Sequence, residues 1–117
     1  MIALTQIEEY TKESVINKLL WSMHPETAIN IPEGIGLVPY CLPGSAKIAE
    51  LTLNKLSSHD VVIWEKHGVC SAGKNVAEAF DLIDILAKSA KIYFTCRSAG
   101  FLPTGLSDED IEELRQF

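Results

Sequence analysis

Two short, unbroken apolar runs, Gly34 to Tyr40 (GIGLVPY) and Val61-Val62-Ile63-Trp64, flank a single helix-period segment. That order constrains the fold of this 117-residue chain more than any other feature. A continuous apolar run of this length, bounded by turn residues, belongs to a strand covered on both faces. The first run is bounded by Pro32 before it and by Leu42-Pro43-Gly44 after it. Between the runs, Ser45 is a good N-cap. Ile48, Ala49, Leu51, Thr52, Leu53 and Leu56 then recur at helical spacing up to the Ser57-Ser58-His59-Asp60 stop. Alternating strands and helices predict a layered α/β fold.

The remaining segments extend the same pattern. Ile7, Tyr10, Val15, Leu19 and Leu20 predict one or two short helices ending near Met23, with Pro25 as the breaker. Gly68-Val69-Cys70-Ser71-Ala72-Gly73 is expected to be a partner or continuation of the second strand. Asn75, with Glu78 three residues on, caps a helix whose Val76, Ala79, Phe80, Ile83, Leu86, Ala87, Ala90, Tyr93 and Phe94 follow at 3/4 spacing until Gly100. Leu82, Ile85 and Ile92 add a second apolar flank, so this helix is expected to be buried on more than one side. A last helix opens at Ser107, with Asp110 placed for a capping box. No repeat or linker-like stretch interrupts residues 1–117, which are expected to form one domain or part of one.

Composition removes several functions. Ten Lys and Arg against sixteen Asp and Glu give a net charge of -6 with no basic stripe, so nucleic acid is not an expected partner. The apolar runs are far shorter than the roughly 20 residues a spanning helix needs, so no membrane partner is expected. Met1-Ile2-Ala3-Leu4-Thr5 carries neither a basic nor a long apolar leader, and the cytoplasm is the expected compartment. Cys41, Cys70 and Cys96 make an odd count without CxxC spacing, so no disulfide framework is expected.

Among candidate chemistry, His67 stands out, lying beside Gly68 where a glycine lets backbone approach closely and a strand can hold an imidazole still. By spacing it is open to two readings, a metal ligand or a hydrogen-bonded structural histidine. No His-x-His or His-x-x-x-His pair occurs, and catalytic zinc uses three protein ligands plus water. Cys70, three residues on, is a weaker candidate second ligand. Glu65 suits a base with a raised pKa or a solvated strand end paired with Lys66. Glu26, after His24-Pro25, has the same ambiguity. His24 and His59 read as surface-loop residues, and Lys47, Lys88 and Lys91 as solubilising helix faces. The absence of GxGxxG, GxxxxGK[ST] and GxSxG removes the commonest nucleotide-binding and serine-hydrolase readings.

Taken in order, three segments resemble the zinc-dependent class II sugar-phosphate aldolase family: Gly36-Leu37-Val38-Pro39-Tyr40-Cys41-Leu42-Pro43-Gly44-Ser45; His59-Asp60-Val61-Val62-Ile63-Trp64-Glu65-Lys66-His67-Gly68-Val69; and Ala79-Phe80-Asp81-Leu82-Ile83-Asp84 with Lys88-Ser89-Ala90. The likeness runs from Ile2-Ala3-Leu4-Thr5 to the Ser107 helix. It implies the C-terminal portion of a three-layer α/β/α sandwich, tetrameric in relatives. It also implies zinc as a Lewis acid for cleaving a ketose 1-phosphate into dihydroxyacetone phosphate and an aldehyde. By the resemblance, His67 is the third of three histidine metal ligands and Glu26 lies near the sugar-phosphate substrate.

The departures carry equal weight. The family's His-x-His lies just upstream of the Ala-Leu-Thr stretch that begins this chain, and its catalytic glutamate and phosphate loops lie further upstream. This implies a C-terminal half that binds zinc weakly or not at all and is inactive alone. Its partner would be a missing N-terminal half, encoded separately in a split enzyme, or further copies of itself in a homo-oligomer. Removal of upstream strands is expected to leave an open sheet edge prone to self-association. The rival reading is a non-catalytic assembly module of the adducin type on the same scaffold.

Overall fold

The strand-helix-strand order of the sequence builds a parallel pair. In a computed structural model that describes residues 13–116, β1 (Ile35–Val38) pairs in parallel with β2 (Val61–Trp64). The register runs from Ile35 opposite Val61 to Val38 opposite Trp64, and α3 (Ala46–Leu56) makes the crossover. Parallel neighbours need such a crossover because a tight turn cannot return the chain in the same direction. Ser45 caps α3, its Oγ accepting from Ile48 N–H. A turn at Glu65–His67 then reverses the chain into β3 (Gly68–Ser71), antiparallel to β2, which gives a mixed three-stranded sheet in the order β1-β2-β3. Gly68 to Gly73 is therefore the partner of the second run, not its continuation. The first run is shorter than expected. Gly34, at φ 80, still belongs to the preceding turn, and Pro39, beyond the last residue of β1, has no N–H to donate.

Helices cover both faces. On one face Ile35 and Val61 meet Leu82 and Leu86 of the long helix α4 (Val76–Ser98) and Ile31, with Ile16, Leu20, Trp21 and Ile63 packed around them. Ile31, Ile35 and Val61 are fully buried. Each contributes about 1.5–3 kcal/mol by leaving water. On the other face Trp64 meets α3, and Gly36 lies beneath Lys55 and His59. Among the described residues the result is a three-layer α/β/α arrangement with a central layer of three strands.

Before the sheet lie α1 (Glu13–Leu19), a 3-10 turn (Trp21–Met23) and α2 (Pro25–Asn30). The expected start of the first helix at Ile7 and Tyr10 falls outside the described residues. Pro25 proves to be a helix start rather than a breaker. It occupies the first turn of α2, where its missing N–H costs nothing and its fixed φ is already helical. His24 is the N-cap, its Nδ1 accepting from Glu26 N–H at 3.1 Å. His24 thus leaves the surface-loop class to which the sequence assigned it.

The long helix matches its predicted span, with Asn75 as N-cap. Within the chain itself its burial is one-sided. Leu82, Leu86, Ser89 and Tyr93 are buried, but Val76 is 87% exposed, Phe80 66% and Phe94 61%, so only one side is covered. The last helix, α5 (Asp108–Arg115), carries the full capping box between Ser107 and Asp110. No helix among the described residues is long and apolar enough to cross a membrane.

The outer edge of β1 is closed by side chains of α1. Asn17 Oδ1 accepts from Ile35 N–H at 2.7 Å, its Nδ2 donates to Ile35 C=O at 2.8 Å, and Glu13 Oε2 accepts from Leu37 N–H at 3.1 Å. Positions i and i+4 of a helix share a face, so one helix presents both groups to one strand. The expectation of an open edge therefore fails at β1.

Candidate functional site

His67 occupies the last position of the turn that follows β2. β1 and β2 are parallel, so their C-terminal ends lie at the same edge, the position at which open α/β sheets bind ligands. Lys66 takes φ 63, a left-handed conformation uncommon for a non-glycine residue, and His67 N–H closes the turn onto Trp64 C=O at 3.0 Å. The His67 ring stacks on Trp64 with centroids 5.3 Å apart and planes 27° from parallel. Trp64 is itself fixed, because its Nε1–H donates to Thr52 Oγ1 at 2.8 Å, and Thr52, in α3, donates to Ile48 C=O at 2.5 Å. The imidazole is exposed, and neither ring nitrogen bonds another group among the described residues. This geometry disfavours the hydrogen-bonded structural histidine.

Two expectations about the surroundings of His67 are corrected. A Cβ added at Gly68 would meet nothing within 4 Å, so that glycine marks no close backbone approach. Glu65 forms no ion pair with Lys66; its N–H instead extends the parallel ladder to Val38 C=O at 3.0 Å. Cys70 lies on β3 opposite Val62, and all three cysteines are free thiols. Among the described residues no three His, Cys, Asp or Glu side chains converge to hold a metal ion. Catalytic zinc takes three protein ligands, and among the described residues His67 has no second or third donor beside it.

Glu26 stands in the first turn of α2, where its charge complements the helix dipole. Its Oε2 accepts from Lys88 Nζ at 3.2 Å, so Lys88 does more than solubilise α4. The next residues along each helix, Thr27 and Ser89, share a fully buried hydroxyl–hydroxyl hydrogen bond. Together the two contacts clasp α2 to α4. Glu26 also lines a cleft of about 440 Å³ with Asn30, Glu78, Asp81, Leu82, Asp84 and Ile85. No hydrogen bond or ion pair joins Glu26 to His67, and that cleft does not include His67.

A charged cluster went unforeseen. Glu13 accepts from Lys55 Nζ at 2.5 Å, and its Oε1 lies 3.7 Å from His59 Nε2. Burial acts to raise the Glu13 pKa. The hydrogen bonds from Lys55 and Leu37 and the charges of Lys55 and His59 outweigh it and hold the carboxyl below the ordinary glutamate range. His59 is accordingly half-buried, not a free surface-loop residue. Nothing in its sequence neighbourhood signals this, since Glu13 is 46 positions away. Thr52 left a faint signal, as a polar residue within an apolar helical stripe.

The class is thus an α/β/α domain with a histidine at the strand-end edge and an acidic cleft against one outer helix. Residues 2–94 match the sequence profile described as Class II Aldolase and Adducin N-terminal domain, and the chain belongs to that family. It is 46% identical over 114 residues to the rhamnulose-1-phosphate aldolase of Bacteroides thetaiotaomicron, covering 97% of this chain and 42% of that protein. The corresponding protein of Listeria monocytogenes is 33% identical, covering 97% of this chain and 41% of that protein. Among solved structures, a sugar-phosphate aldolase from Thermotoga maritima superposes with a TM-score of 0.69 at 40% identity, over 84% of this chain and 41% of that one. The chain thus spans about two fifths of the length of the curated relatives it matches.

Proposed function

We propose that this chain supplies the C-terminal part of a rhamnulose-1-phosphate aldolase-like enzyme, which cleaves a ketose 1-phosphate to dihydroxyacetone phosphate and an aldehyde in rhamnose breakdown. The observation that carries the proposal is the stacked, unpartnered imidazole of His67 at the strand-end edge of a chain belonging to the aldolase family. In this reading His67 is one metal ligand and Glu26 contacts the sugar-phosphate substrate. Zinc, when bound, supplies Lewis-acid polarisation of the ketone. Trp64 and Thr52 hold the ring of His67 still, and Lys88 holds the Glu26 carboxylate. The three free thiols are compatible with cytoplasmic action. One ligand holds zinc weakly, so the chain alone is inactive and needs a segment that brings the other ligands.

The test is a zinc titration and a dihydroxyacetone phosphate release assay. We expect no stoichiometric zinc and no release from the chain alone. Co-expression with the remainder of the Bacteroides thetaiotaomicron relative is expected to yield both. His67→Ala should then abolish zinc retention, and Glu26→Gln should lower kcat/KM by roughly tenfold or more, as loss of a charged hydrogen bond does. Zinc held equally well by His67→Ala would remove the ligand role. Exposed Val76, Phe80 and Phe94 favour a second reading, a non-catalytic assembly module. A stable, zinc-free oligomer that never gains activity with the complement would select it.

A further inference from the structure

A helix on the surface of a domain needs one apolar stripe to face its own core, and α4 carries two. The inner one holds Leu82, Leu86 and Tyr93, all buried. On the outer one, Val76, Phe80, Ile83, Ala87, Ala90 and Phe94 follow one another at intervals of 4, 3, 4, 3 and 4 residues. That is the heptad repeat by which one helix lies along another. Ile83 and Ala90 are half-buried and the other four are exposed. Phe94 is already set in place, its ring edge-on to Tyr93 with centroids 5.3 Å apart.

The charges beside this stripe say what fits it. Asp84 and Lys91, seven residues apart, run along one flank, both exposed and neither in an ion pair among the described residues. Lys88, between them, is taken by Glu26. The opposite flank holds Leu86 and Tyr93, buried within this chain. Parallel helices match one flank with the other, and here the second flank is occupied. Antiparallel helices related by a two-fold axis match each flank with itself, so Asp84 of each copy meets Lys91 of the other. The same register sets Ile83 against Phe94 and Ala87 against Ala90, large beside small, so the layers interdigitate. A slip of one heptad would bring Asp84 onto Asp84 instead. The net charge of -6 on each chain opposes association at long range, so a matched local contact has to overcome it. We propose that the outer stripe of α4 pairs with α4 of a second copy of this chain, antiparallel about a two-fold axis between Ala87 and Ala90, with Asp84 of each copy bonded to Lys91 of the other. The pairing rests on the helix alone and is independent of the aldolase reading.

Charge reversal tests the register. Asp84→Lys alone and Lys91→Asp alone each place like charges opposite one another twice per dimer, and each should raise the dimer dissociation constant, measured by sedimentation, at least about tenfold. The double variant exchanges the two charges and should return to within about threefold of the unaltered chain. Both positions are exposed, so thermal melts should show all three variants folded. A second measurement needs no variant. Zero-length carbodiimide coupling of a mixture of isotopically light and heavy chains should join Asp84 of one copy to Lys91 of another, whereas within one helix the two stand about 10 Å apart. A monomer at every concentration would overturn the proposal. So would a dimer indifferent to the single reversals, a double variant no better than either single one, or links between copies that leave out Asp84 and Lys91. Capture of the remainder of the Bacteroides thetaiotaomicron relative by this stripe, with no dimer of the chain alone, would give the surface to that other segment and overturn the self-pairing.

Discussion

At the scale of single residues, side chains here do work that backbone usually does. Glu13 and Asn17 stand where a neighbouring strand would, and Glu13 also faces Lys55 and His59. Its carboxyl titrates below the ordinary value of 4.5, so the linkage has one sign. The stabilisation is fully present above that value and is lost as pH falls through the lowered folded value. The pair is about a third exposed, and solvent screens it, so Glu13→Gln should cost about 1 kcal/mol at neutral pH. Urea unfolding of both proteins at pH 7 and pH 3 checks this: the gap should narrow at the lower pH. A gap of unchanged size would mean that the ionised carboxylate is not the stabilising form. A second residue-scale prediction concerns Thr52. Thr52→Val keeps the shape but strips Trp64 Nε1–H of its acceptor, which should cost about 1–2 kcal/mol and loosen the ring under His67. Tryptophan fluorescence anisotropy together with denaturant midpoints would register both effects.

At the scale of elements, the clasp between α2 and α4 makes an asymmetric prediction. Ser89→Ala leaves the Thr27 hydroxyl buried without its partner and should cost about 1–3 kcal/mol. Adding Thr27→Val removes the orphaned hydroxyl, so the double variant should regain much of that loss by thermal melts. A double variant that loses the sum of both single effects would show that the hydroxyl pair is not the relevant contact. Such clasps mark the limit of what the chain discloses before it folds. The second strand, the crossover helix and the long helix were legible because unbroken apolar runs and 3.6-residue periodicity are local properties of the chain. Pro25 misled because proline both breaks a helix interior and begins a helix, and the choice depends on whether the preceding residue can cap. His24, an uncommon N-cap, supplied that cap through Nδ1. The Glu26–Lys88 and Thr27–Ser89 contacts span 62 positions each, and no spacing rule reaches that far. Of the candidate site, His67 was visible through its neighbours in sequence, whereas the setting of Glu26 was not.

At the scale of the whole molecule, the apolar surface has no partner on one flank. The two apolar flanks of the long helix predict burial on more than one side, and the described chain covers one of them. Val76, Phe80 and Phe94 therefore remain in water on a helix of 23 residues. Exposed apolar groups at this density mark an association surface, whereas scattered single ones do not. Side chains of α1 occupy the edge of β1, and the exposed face of α4 offers a different route to association. Sedimentation velocity over a concentration series should show reversible self-association of the isolated chain. Burial of one phenylalanine contributes about 1.5–3 kcal/mol, and a two-fold contact uses each substituted position twice. Phe80→Glu should therefore weaken the association at least about tenfold while leaving the melting temperature nearly unchanged, because a side chain 66% exposed adds little to the fold. Association that survives both Phe80→Glu and Phe94→Glu, or a monomer at every concentration, would move the interface off this helix.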